Sequence, residues 1–130
     1  MFTLEQIKAA HSKVKSGADF PAYIQELIAL GVSNYETYVA DGHTDYFGKN
    51  SFTISSDKKY HPLPIADDAD VIQFEKNLKA HQQGKTDYLT FCGDCVKSGV
   101  EKWKVDMQAM TCVYFDKAGS EMLAETIPAA

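Results

Sequence analysis

The side chains with chemistry to offer are few: three cysteines, four histidines and a spread of carboxylates. Cys92-Gly93-Asp94-Cys95 is a C-x-x-C motif, the spacing of a redox dithiol or of half a zinc site. A redox pair normally opens a helix, where the helix dipole lowers the pKa of the first thiol. Here the helix begins near Asp87, so Cys92 falls in its second turn or so, and no second C-x-x-C is present to complete a zinc site. Packed cysteines, buried and unpaired, are the expectation, with a redox role as the alternative.

Cys112 invites a second reading. With His81 at the end of a helix and Asp106 on a strand, the residue types of a Cys–His–Asp triad are available. A two-residue Ala109-Met110 turn would pair Met107 with Cys112 and Val105 with Tyr114, and paired residues share a sheet face. Asp106 would then point away from Cys112, which strains the triad. Cys112 is expected to be a buried structural residue, with a small thiol-dependent enzyme using Cys112 and His81 as the alternative. Asp41, His43 and Asp45 alternate at a hairpin tip and share a side, as metal ligands do, but a solvated tip is the simpler reading. His11 and His61 have no evident partners. There is no phosphate loop, no G-x-S-x-G and no H-E-x-x-H, so no metal or cofactor is expected and catalysis is not favoured.

The elements that must position these groups follow from caps and periodicity. Thr3-Leu4-Glu5-Gln6 is a capping box. The helix behind it carries Ile7, Ala10, His11 and Val14 on one face and should stop near Gly17. Asp19 can cap a second helix in which Phe20, Tyr23, Ile24, Leu27 and Ile28 form a core-facing stripe, closed by Gly31. Val32 to Ala40 reads as a strand, Asp41-Gly42 as a two-residue hairpin turn, His43 to Phe47 as the return, and Ser51 to Ser55 as a possible third strand. Residues 56–66 hold two prolines and no periodicity and read as a connector. Beyond it Asp67 to Gln83 is helical, Thr86 or Asp87 caps another helix bearing Tyr88, Phe91, Cys92, Cys95 and Val96, and Gly99 closes that helix. Val100 to Met107, Thr111 to Phe115 and Glu121 to Ile127 read as strands.

The second plan repeats the first. Asp19, Gly31, Val32, Tyr46, Phe47 and Lys49 recur as Asp87, Gly99, Val100, Tyr114, Phe115 and Lys117 at a constant offset of 68. Cys92 and Cys95 thereby occupy the slots of Ile24 and Leu27, two core positions. The expected fold is α+β: one domain over residues 1–130 made of two pseudo-symmetric helix–helix–hairpin repeats, 1–60 and 67–130, on an antiparallel sheet.

A net charge of −5 with acidic residues spread along the chain argues against nucleic acid, which needs a basic stripe; Lys58-Lys59 is too little. No apolar run approaches the ~18 residues of a membrane span and the N-terminus lacks signal-peptide character, so a soluble, cytoplasmic protein with reduced thiols is expected. The hairpin registers place Tyr38, Phe47, Val113 and Phe115 on the sheet face opposite the core. Tyr38, Phe47 and Phe115, with Trp103, are the candidate binding residues. Large apolar groups on an outward face call for a cover, and a homodimer is the expectation, with a small-molecule or protein ligand as the other possibility. The overall reading is a small, non-enzymatic binding or interaction module.

From His81-Gln82 through GKTDYLTFC, GVEKW, VDMQAMTC and YFDKAG to Ile127-Pro128, and in the earlier YETYVADGHTDYFG, the chain resembles the YbcV-like bacterial family of unknown function (DUF1398), whose members are often labelled "phage envelope protein". The resemblance covers nearly the whole chain. It implies no established activity and supplies no catalytic residues.

Overall fold

The computed structural model describes residues 2–15 and 19–128. Helix α1 (Leu4–His11) begins at the capping box, where Gln6 N–H donates to Thr3 Oγ1 and Thr3 N–H donates to Gln6 Oε1. It ends at His11, well before Gly17, which lies outside the described residues. Helix α2 (Phe20–Leu30) starts at Asp19 and stops where Gly31 turns left-handed, at φ 100°. Strands β1 (Val32–Tyr38), β2 (Thr44–Gly48) and β3 (Thr53–Ser55) follow. Helix α3 spans Val71–Gln82 and α4 spans Tyr88–Lys97; strands β4 (Val100–Asp106), β5 (Thr111–Asp116) and β6 (Glu121–Thr126) complete the chain. Helix α3 thus starts four residues later than the sequence indicates, because the Asp70 carboxylate accepts the Gln73 N–H and sets the cap there. Asp87 caps α4 in the same way through Thr90 N–H.

The fold is α+β. Its single six-stranded antiparallel sheet has the order β3-β2-β1-β4-β5-β6, so β1 and β4 meet at the centre. Both hairpins differ from expectation in one respect. The observed pairs are Thr37↔Thr44 and Val105↔Cys112, and the loops are four residues long, Val39–Gly42 and Met107–Met110. Val39 parts from the return strand after Tyr38: its side chain is fully buried, and its N–H carries the β1–β4 ladder on to Glu101 O. In the second loop the Asp106 carboxylate accepts the N–H groups of Gln108 and Ala109, an Asx turn that widens the loop. Each register therefore moves by two residues. A shift of two preserves every side chain's face, so the assignment of inward and outward residues stands.

One face of the sheet carries the core. Tyr35, Tyr46, Val105, Cys112 and Tyr114 pack there against Ile7 and Ala10 of α1, Tyr23, Ile24 and Leu27 of α2, Phe74 and Leu78 of α3, and Phe91, Cys92, Cys95 and Val96 of α4. Ile28 departs from the expected stripe and is exposed. At ~100° per residue the buried arc of α2 runs from Leu30 through Tyr23 and Leu27 to Ile24, and Ile28 lies one step beyond it. The connector packs rather than loops freely. Tyr60 donates its hydroxyl to Val39 O, Ala66 N–H bonds Val96 O, and Asp70 N–H bonds Ser98 O. This strap passes so close to the end of α4 that a Cβ on Gly99 would lie 2.8 Å from Asp68 O.

Candidate functional site: an open sheet face

The candidate residues divide by sheet face. Trp103 lies on the helix side, with ring centroids 5.8 Å from Phe91 and 6.1 Å from Tyr114, so it belongs with the core and apart from Tyr38, Phe47 and Phe115. Cys92 and Cys95 are buried and free, like Ile24 and Leu27. Burial pushes both thiols up in pKa; hydrogen bonding with Tyr60 and Tyr88 partly opposes this at Cys92. A thiol held protonated in a core is a poor nucleophile and a poor metal ligand.

Cys112 is also free and buried, and burial pushes it up to about 12 despite a hydrogen bond with Tyr114. His81 turns elsewhere. Its Nδ1 is 3.1 Å from Thr86 O and 3.2 Å from Thr86 Oγ1, and its ring stacks on Phe91 at 4.4 Å with 11° between planes. Asp106 points to the opposite face and is engaged in its loop. The three members of the possible triad thus take three separate sets of partners, and the structure does not bring them together.

The opposite face of the sheet is different in kind. Along it stand Asn34, Glu36 and Tyr38 of β1, His43 just before β2, Asp45 and Phe47 of β2, Lys102, Lys104 and Asp106 of β4, and Val113 and Phe115 of β5, all half-buried. No described helix contributes to it. Lys102 is the feature that the sequence left unseen. Its Nζ sits 5.6 Å from the ring centroids of both Tyr38 and Phe115 and donates to Glu36 Oε1 at 3.0 Å. The Glu36 hydrogen bond raises the lysine pKa and keeps it charged. Two cation–π contacts and an ion pair therefore organise the upper row of the face. Tyr38 and Phe115 are separated by β4, and only cross-strand pairing reveals that Lys102 stands between them.

At the hairpin end of the face, Tyr38 stacks on His43 at 4.6 Å with 5° between planes. His43 Nδ1 is 2.6 Å from Asp41 Oδ1, and its Nε2 is 3.7 Å from Asp45 Oδ1. Burial pushes the Asp41 carboxyl up, but the His43 side-chain and backbone hydrogen bonds outweigh it and the net shift is downward. Asp45 also accepts from Ser55 Oγ at 2.7 Å. These contacts satisfy the trio internally, and among the described residues no group of His, Cys, Asp and Glu is arranged to hold a metal. The aromatic face expected from sequence is thus a mixed one, in which charged groups occupy the centre and the Lys102 ammonium sits over the rings of Tyr38 and Phe115.

An α+β domain with one helix-covered and one open face of an antiparallel sheet is the class that the fold defines. The chain belongs to a family of proteins of unknown function, DUF1398, whose sequence model matches residues 8–126. No curated protein matches the chain.

Proposed function

We propose that this protein is a small, non-enzymatic binding module that works through the open sheet face. One contrast carries the reading: the groups able to do covalent chemistry are buried and held protonated, while a patterned set of aromatic and charged side chains faces outward. Three unpaired cysteines support a reducing, cytoplasmic setting. No helix among the described residues is long and apolar enough to cross a membrane. The closer kinship with the YbcV-like group, including its "phage envelope" label, brings no activity with it.

The same face supports a duplicated origin for the chain. Each half runs helix, helix, three strands, and Gly31 and Gly99 both end a helix left-handed. Glu36 pairs with Lys104, its counterpart at the offset of 68, and the same offset exchanges two bonds across the seam, Val39 N–H to Glu101 O and Met107 N–H to Ser33 O. A two-fold relation between the halves, centred on the β1–β4 seam, accounts for all three.

The functional reading is tested by alkylating the native protein with iodoacetamide at neutral pH and following each cysteine by mass spectrometry. Cys92, Cys95 and Cys112 should all react far more slowly than in urea. A Cys112 that reacts quickly, and slows in His81→Ala, would overturn the binding module in favour of a thiol enzyme.

A further inference from the structure

We propose that the occupant of the open face is a second copy of this chain, stacked sheet on sheet about a two-fold axis that runs along the strands, with Glu36 opposite Lys104 of the partner subunit. The inference rests on the open face being the working surface and adds the partner and its orientation.

Charge on the central row carries it. Reading across the sheet from β3 to β6, that row is Ser55, Asp45, Glu36, Lys104, Val113 and Ala124. Acid lies to one side of the seam and base to the other. Two copies of one sheet face can be stacked by a two-fold axis in the interface plane in two simple ways. An axis across the strands lays each strand on its own copy, so Glu36 meets Glu36 and Lys104 meets Lys104. An axis along the strands lays β1 on β4 of the partner, so acid meets base twice. The row above agrees: the same axis sets Tyr38 against Lys102 of the partner subunit and His43 against Phe115 of the partner subunit, continuing the aromatic–cation alternation already present within one sheet.

Packing geometry is compatible with this. Stacked sheets lie ~10 Å apart with strands rotated by about 30°, which displaces outer positions more than central ones. Glu36 and Lys104 flank the axis and move least. Lys104 is half-buried and faces outward beside Glu36, whose Oε1 already takes Lys102. The partner's lysine would join Lys102 at Glu36, with Asp45 beside Glu36 on the same row as the second carboxylate.

Two charge reversals test the geometry. Glu36→Lys alone and Lys104→Glu alone each set like charges against each other at both symmetry-related contacts. Each should weaken self-association at least tenfold in sedimentation velocity. Mixed one to one, the two variants should form heterodimers, because the Glu36→Lys site of one then meets the Lys104→Glu site of the other, and the unchanged Lys104 of the first meets the unchanged Glu36 of the second. Near-normal circular dichroism of each variant confirms folding. Should either reversal fail to fold, Glu36→Gln and Lys104→Gln replace it and should weaken association several-fold. A wild-type protein that stays monomeric at high micromolar concentration overturns the second copy. Variants that still dimerise alone, or that fail to pair on mixing, overturn this axis. Neither outcome alters the thiol reactivities, which test the binding-module reading separately.

Discussion

Glu36 pairs with Lys104 at the middle of the sheet, where the antiparallel β1 and β4 join the two halves, and Lys102 on the adjacent row reaches back to the same carboxylate. Lys102 therefore serves two roles on one stem: its ammonium closes the ion pair, and it also covers the rings of Tyr38 and Phe115. Lys102→Ala should lower stability by about 1 kcal/mol, through lost packing as much as lost charge. Lys102→Met, which keeps most of the stem, should lose about half of that. Urea titrations of the three proteins measure the difference; equal losses in both variants would assign the effect to charge alone.

Two glycines with nearly the same backbone conformation separate strain from crowding. Gly84 and Gly99 have φ of 79° and 85°, but a Cβ on Gly84 meets nothing within 4 Å, whereas on Gly99 it meets Asp68 O at 2.8 Å and Ala69 Cα at 3.0 Å. Gly84→Ala should cost ~1 kcal/mol, the price of the left-handed conformation. Gly99→Ala should cost ~3 kcal/mol, because backbone atoms of the strap must move as well. Thermal or urea unfolding of both variants checks the ordering.

Stability should fall on the alkaline side. The Cys112 thiol is raised from 9.0 to about 12 by burial, so between those values the unfolded chain has lost a proton that the folded chain retains. Its contribution is fully present below pH 9.0 and is lost as pH rises towards about 12. Cys92 and Cys95 are shifted in the same direction, also by burial first. Urea midpoints measured from pH 8 to pH 11 should decline, and Cys112→Val should flatten part of the decline. A midpoint constant over that range would mean that the thiols ionise in the folded protein.

Local chemistry was legible in the sequence, and non-local chemistry was not. The Thr3–Gln6 box, the Asp87 cap and the left-handed Gly31 and Gly99 depend on residues within a turn of each other and appear where expected. The burial of Cys92 and Cys95 followed from their alignment with Ile24 and Leu27. The hairpin loops were read two residues too short, because their length is set by Val39 entering the core and by the Asp106 carboxylate holding two N–H groups. The faces survived that error because side chains alternate with a period of two. The central charges escaped notice for a different reason. Lys102 reaches Tyr38 and Glu36 only through the β1–β4 pairing, between strands more than sixty residues apart in sequence. Hairpin logic assigns neighbours within each half and is silent on how the halves join. Trp103 shows the reverse case: its type marked it as a binding residue, but its place in β4 puts it under the helices.

The claim that a second copy of the chain covers the open sheet face is tested most directly by sedimentation equilibrium of the wild-type protein beside Phe115→Glu at micromolar concentrations. Phe115 is half-buried and lies under Lys102, which a glutamate at that position could pair with, so the variant should fold normally. The account predicts a wild-type dimer in reversible equilibrium and a variant shifted to monomer with an unchanged circular dichroism spectrum. A wild-type protein that sediments as a monomer throughout, or a Phe115→Glu variant that associates as strongly as the wild type, would contradict it.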